Sequence, residues 1–151
     1  MLKVFEIADE LVDQIHAFAP QVDKRTVKAE RGYHFVDGTT VPKSELSVVV
    51  YPGQWRKEKQ GRATRQKYVS LFIVFKASVA PKNKSRIDTL IEYVAEIDTH
   101  LEGKPQCGAT YVTNEDEQSF WVPDQLHAQN HFSALIELEY KYTAAVGGNP
   151  S

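Results

Sequence analysis

Phe5, Ala8, Leu11, Val12, Ile15 and Phe18 recur at helical spacing, with Glu6, Asp9, Glu10 and Asp13 mostly between them. This pattern predicts an amphipathic helix over residues 2–18, ended before Pro20, with its acids gathered toward the positive end of the helix dipole. Val27 and Ala29 begin a short alternation that predicts a first strand, followed by turn chemistry at Asp37-Gly38 and a loop containing Pro42. Residues 46–51, Leu-Ser-Val-Val-Val-Tyr, read as a β-branched strand bounded by Pro52-Gly53. A second long strand starts near Tyr68, with Val69, Leu71, Ile73 and Phe75 on one face and Tyr68, Phe72 and Val74 on the other, both faces expected to be largely buried.

Ser85 and Asp88 resemble a capping box opening a second helix, whose apolar stripe is Ile87, Leu90, Ile91, Val94 and Leu101 and whose end is marked by Gly103 and Pro105. Two short apolar stretches, residues 108–113 and 119–122, flank Asn114-Glu115-Asp116-Glu117 and read as a hairpin with an acidic turn. Pro123-Asp124 then opens a short helical turn over residues 124–129. The last strand carries the cleanest alternation: Phe132, Ala134, Ile136, Leu138, Tyr140 and Tyr142 face one way, Glu137, Glu139 and Lys141 the other. Strands that follow one another without regular helical crossovers favour an α+β fold, a mainly antiparallel sheet packed against two helices with a long charged hairpin loop. Residues 1–143 are expected to form a single domain and 144–151 a flexible C-terminal tail.

A chain of 151 residues with 42% hydrophobic and 25% charged residues and a net charge of −2 has the makeup of one globular domain able to bury a core without staples. A single cysteine, Cys107, excludes an internal disulfide framework. Residues 1–19 are too acidic for a standard signal peptide, and no apolar run reaches the ~18 residues of a membrane span, so a soluble chain with no membrane role is expected. The near-neutral charge argues against a dedicated nucleic-acid binder. It also isolates one exception. Residues 53–67 carry Arg56, Lys57, Lys59, Arg62, Arg65 and Lys67 against one acid, Glu58, and include Trp55.

Three roles fit that segment: a solvated hairpin tip, a phosphate-contacting loop with Trp55 as a stacking surface, or a dock for an acidic neighbour such as the Glu115-Asp116-Glu117 turn of another copy. Catalytic chemistry is harder to find. His127 and His131 have i,i+4 spacing with Asp124 nearby, but the motif lacks the glutamate of a zinc hydrolase, leaving that class a distant third. Cys107, seven residues beyond His100, reads as an ordinary small thiol. No phosphate loop, nucleophile elbow or dinucleotide fingerprint appears, and no enzyme activity, cofactor or metal is expected.

The runs ELSVVVYPG, RATRQKYVSLFIVFKA, SRIDTLIEYVAEIDTHLEG and WVPDQLHAQNHFSALIELEYKY resemble the tail terminator (tail completion) proteins of long-tailed bacteriophages over roughly residues 25–143. The most specific part is the turn Pro123, Asp124, Leu126 leading into a strand with Phe132 and Tyr140. The resemblance implies an α+β subunit of a hexameric ring in the virion tail and neck, assembled in the host cytoplasm. Such a ring caps the head-proximal end of the tail tube, meets the tube protein and the head-completion or connector protein, and passes DNA through its lumen without sequence specificity. It further implies that Trp55, Arg56, Lys57, Lys59, Arg62, Arg65 and Lys67 contact tube, neighbouring subunit or DNA. A head-to-tail contact between a basic loop and an acidic turn is compatible with ring closure, and a ring covers sheet edges. The alternative is a small nucleic-acid-binding domain using residues 53–67 on phosphates.

Overall fold

The computed structural model describes residues 2–32, 41–59, 64–80, 82–112, 120–121 and 131–145. In chain order these form α1 (Lys3–Phe18), β1 (Gln21–Val22), β2 (Arg25–Arg31), β3 (Glu45–Lys59), β4 (Thr64–Ser78), α2 (Lys84–Leu101), β5 (Thr110–Tyr111), β6 (Phe120–Trp121) and β7 (His131–Ala145). One sheet orders them β1-β2-β3-β4-β7-β5, with β6 also on β7. Every pairing is antiparallel except β2 with β3. The fold is α+β, as the pattern of elements predicts.

Strand alternation decides which face is dry. Val69, Leu71, Ile73, Phe75 and Ala77 of β4 lie beside Phe132, Ala134, Ile136, Leu138 and Tyr140 of β7, all buried in one cluster with both helices. Phe75 meets the α2 ring of Tyr93 edge-on at 6.1 Å, and Phe18 at the end of α1 lies 4.8 Å from His100. On the opposite face of β4 burial is graded: Val74 and Lys76 are buried, while Tyr68, Ser70 and Phe72 are half-buried. Tyr51 stacks on Phe72 there at 5.4 Å, and Gly53 leaves room for that ring, because a Cβ at 53 would stand 2.3 Å from it.

The helices obey their periodicity with two adjustments. In α1 the buried stripe is Val4, Ile7, Ala8, Leu11 and Ile15, so Phe5, Val12 and Phe18 fall on its flanks, where Phe5 lies under the Arg31 guanidinium at 4.8 Å. In α2 the cap is Asn83, whose side chain accepts from the Arg86 N–H at 3.4 Å, in place of the expected Ser85. Asn is as good a cap as Ser, and the helix gains its first turn from Lys84. Tyr93 and Ile97 join the buried stripe. None of the described helices is long and apolar enough to cross a membrane.

Tyr93 is 3% exposed, and its hydroxyl has no hydrogen-bond partner among the described residues. An unsatisfied buried donor costs about 1–3 kcal/mol, so Tyr93→Phe is expected to raise stability by about 1 kcal/mol, measurable as a higher urea midpoint with unchanged slope.

Among the described residues the two stretches of the expected hairpin do not pair with each other. β5 and β6 each pair with β7, Thr110 opposite Lys141 and Phe120 opposite Leu135, on the edge that β4 leaves open. The long, regular β7 ladder offers both short strands more partners than they offer each other. The acidic turn Glu115-Asp116-Glu117, the helical turn at 124–129, the Asp37-Gly38 turn and His127 lie outside the described residues. Ala144 and Ala145, placed in the tail by the sequence pattern, pair with Arg65 and Thr64, and residues 146–151 lie outside the described residues.

A β1–β2 hairpin is an addition that periodicity does not anticipate. Val22 pairs with Arg25, and Asp23 and Lys24 between them have φ of 47° and 62°. Two left-handed residues in a two-residue loop are the type I′ pattern, which favours glycine at the second place. Lys24 is exposed, so Lys24→Gly is expected to stabilise the chain by about 1 kcal/mol, read as a rise in thermal midpoint.

Candidate interaction site

The basic segment is built mostly of strand. β3 continues to Lys59 and β4 begins at Thr64, which narrows the long charged loop expected over residues 53–67 to a connection at 60–63 outside the described residues. A register shift between Pro52 and Trp55 marks where β3 passes into its charged half. Beyond it, Arg56 pairs with Tyr68, Lys57 with Lys67, Glu58 with Gln66 and Lys59 with Arg65.

β7 runs alongside as a third strand. Lys141 stands opposite Tyr68, Tyr142 opposite Lys67 and Ala144 opposite Arg65. From Tyr68 to Arg65 this three-stranded ribbon extends about 10 Å, at ~3.3 Å per residue. Its rows bring together six cations, Arg56, Lys57, Lys59, Arg65, Lys67 and Lys141, against one acid, Glu58. The register places Lys57 opposite Lys67 and Lys59 opposite Arg65.

Alternation also fixes the aspect of β4. Lys67 and Arg65 continue the face that carries Val69, Leu71, Ile73 and Phe75, so the core-side face changes from apolar to cationic within two residues. Arg65 is exposed and Lys67 half-buried. Burial raises the phenol pKa of Tyr142, the β7 neighbour of Lys67. Beyond Tyr51 the outer edge of β3 pairs with no described residue, because β2 ends its register at Arg31 opposite Val50.

Of the residues singled out from the sequence, Trp55, Arg56, Lys57, Lys59, Arg65 and Lys67 are thus brought onto one ribbon, while Arg62 and Glu115-Asp116-Glu117 lie outside the described residues. Lys141 is an addition. It sits in an alternating strand that reads as ordinary core, and only the β4–β7 register places it beside the others.

No family model matches the chain, and no curated protein matches it. One solved chain aligns over 98% of this chain and 96% of its own length at 15% identity and a TM-score of 0.43, and its name states no function.

The remaining candidates for chemistry are placed as follows. His131 opens β7 opposite Ser78 and lies on a strand, so it does not share a helix face with His127. Among the described residues no three His, Cys, Asp or Glu side chains gather as a metal site. Cys107 does not meet His100. It occupies a tight turn in which Gln106 and Ala109 exchange both backbone hydrogen bonds, with φ of 50° at Cys107 and 79° at Gly108. α1 clamps this turn: Glu10 accepts from the Cys107 N–H and from its thiol, each at 2.7 Å, Lys3 donates to the Cys107 carbonyl at 2.8 Å, and Gln14 and Gln106 exchange amide hydrogen bonds.

Burial, then the Glu10 carboxylate, push the Cys107 thiol up to about 12. The group is protonated at neutral pH and is no nucleophile. Its alkylation by iodoacetamide at pH 8 is expected to run roughly a thousandfold slower in the folded chain than in urea, in proportion to thiolate. Because the folded value exceeds the ordinary 9.0, the stability this thiol contributes is fully present below about pH 9 and is lost as pH rises toward 12. Tyr93, raised from 10.0 to about 12 by burial, adds the same dependence from pH 10 upward. Urea midpoints should therefore fall between pH 9 and 11, and less steeply in Cys107→Ser.

Proposed function

We propose that this chain is a non-enzymatic structural protein, a phage tail terminator that closes into a hexameric ring on the head-proximal end of the tail tube. In this reading it meets the head-completion or connector protein on its other side, lets DNA pass through the lumen, and belongs to the virion neck. The sequence resemblance over residues 25–143 supports it, and the observation that carries it is the cationic ribbon of β3, β4 and β7. A strand-built projection holds its charges in a fixed register, which suits repeated contact with an anionic surface of a neighbouring subunit, the tube or DNA better than a mobile loop does. The Glu115-Asp116-Glu117 turn of an adjacent copy is the proposed acidic counterpart within the ring.

Electron micrographs and native mass spectra of the purified chain, with and without tube protein, test the reading. Closed rings or capped tubes are the expected result, and Lys57→Glu with Lys59→Glu and Arg65→Glu should abolish them while leaving the circular dichroism spectrum unchanged. Monomers that never engage a tube at high concentration would overturn the proposal.

The gathering of Arg56, Lys57, Lys59, Arg65, Lys67 and Lys141 on adjacent strands also favours a second reading, a nucleic-acid-binding domain. Each phosphate neutralised contributes about −0.9 to the slope of log affinity against log salt on duplex DNA, so a steep slope flattened by the same reversals would select this alternative. An absent or salt-independent gel shift would remove it.

A further inference from the structure

A cavity of about 230 Å³ lies where the end of β4, the start of α2 and the turn after Val41 converge. Arg25, Lys43 and Arg86 line it, together with Val79, Ala80 and Asn83, and no acidic side chain among the described residues does so. These cations come from three separate parts of the chain, so no local motif announces them.

Arg25 is the anchor. Its side chain is 3% exposed, held by Asp23 and by a 2.8 Å hydrogen bond to the Ser78 carbonyl, while its buried Nε has no partner among the described residues. Arg86 reaches the same Asp23 only at 3.9 Å and is 51% exposed, and no ion pair engages exposed Lys43 among the described residues. Two of these cations thus share the Asp23 carboxylate, and Lys43 adds a third positive charge around the concave space. Asn83 also brings the positive end of the α2 dipole to the wall.

We propose that this cavity receives a carboxylate side chain from an acidic segment of a partner protein. The charge balance and the walls select this ligand class. One added carboxylate brings the local excess of two positive charges to one, and Val79 and Ala80 offer apolar surface to its methylene stem. A phosphate of duplex DNA is held on a broad backbone that does not enter such a recess. The proposal is independent of the ring reading, because it concerns a surface remote in sequence from residues 53–67 and is tested on the isolated chain.

The test is a titration of the 15N-labelled full chain with an acetylated, amidated tri-glutamate peptide at constant ionic strength, with inorganic phosphate in a parallel arm. Saturable shifts of the Ser78, Ala80 and Asn83 amides are expected with the peptide. They should weaken at least tenfold in Lys43→Gln/Arg86→Gln, a variant of two exposed side chains that retains the wild-type spectrum elsewhere. Shifts that stay linear, that match sodium chloride, or that persist unchanged in the double variant overturn the proposal. Saturation by phosphate but not by the peptide overturns it as well.

Discussion

Phe75→Ala is expected to lower stability by about 3–5 kcal/mol, a large part of the 5–15 kcal/mol that holds a domain of this kind folded. Phe75 is 0% exposed on the central strand β4, opposite Val48 on one side and Ala134 on the other, and its ring meets Tyr93 of α2 edge-on. The small Ala134 makes room for the large ring, so its removal leaves a space no neighbour is long enough to fill. The ladder hydrogen bonds on both sides hold the backbone in place and limit collapse. With a slope of about 2 kcal/mol per M, the urea midpoint should move down by about 2 M, and Phe75→Leu, which keeps most of the apolar volume, should recover more than half of it. A loss under about 1 kcal/mol for the alanine would mean that Phe75 is not packed between sheet and α2.

Arg25→Met is expected to cost about 3 kcal/mol, although methionine fills similar space. The guanidinium is 3% exposed and its partner Asp23 is 19% exposed, so the substitution strands a largely desolvated carboxylate and leaves the Ser78 carbonyl without its donor. Removing one member of a buried pair costs about 3–5 kcal/mol, whereas removing both is often nearly neutral. The double variant Arg25→Met/Asp23→Asn should therefore be more stable than Arg25→Met alone, and a double-mutant cycle should return a coupling of about 2 kcal/mol. Arg86, at 3.9 Å from Asp23, takes up part of the stranded charge and sets the lower end of the range. The coupling should survive 1 M salt, since screening acts weakly on buried pairs. A coupling below about 0.5 kcal/mol, or one erased by salt, would refute the assignment.

The parts of this fold that can be read from the chain are those whose stability comes from burying one face. β7 shows its core in strict alternation from Phe132 to Tyr140, and α2 shows its stripe from Ile87 to Leu101, because water exclusion writes a period into the sequence. The charged half of the hairpin has no such period. Arg56 to Lys59 and Arg65 to Lys67 are held by backbone ladders, which leave no composition mark, so strand there reads as loop. β5 and β6 fail for a related reason: two-residue strands carry too little pattern to name their partner, and a turn between them looks sufficient until β7 is seen to offer its free edge. The cavity of Arg25, Lys43 and Arg86 is legible only in three dimensions, as is the clamp of Glu10 on Cys107, which joins residues 97 positions apart.

After Tyr51 the outer margin of β3 has no strand partner among the described residues. Pro52 removes a donor from that margin, the register shifts between Pro52 and Trp55, and Lys57 and Lys59 follow in sequence, features of the kind that keep edge strands from recruiting others without limit. A copy approaching this side meets a seam short of one backbone donor, which discourages indefinite stacking.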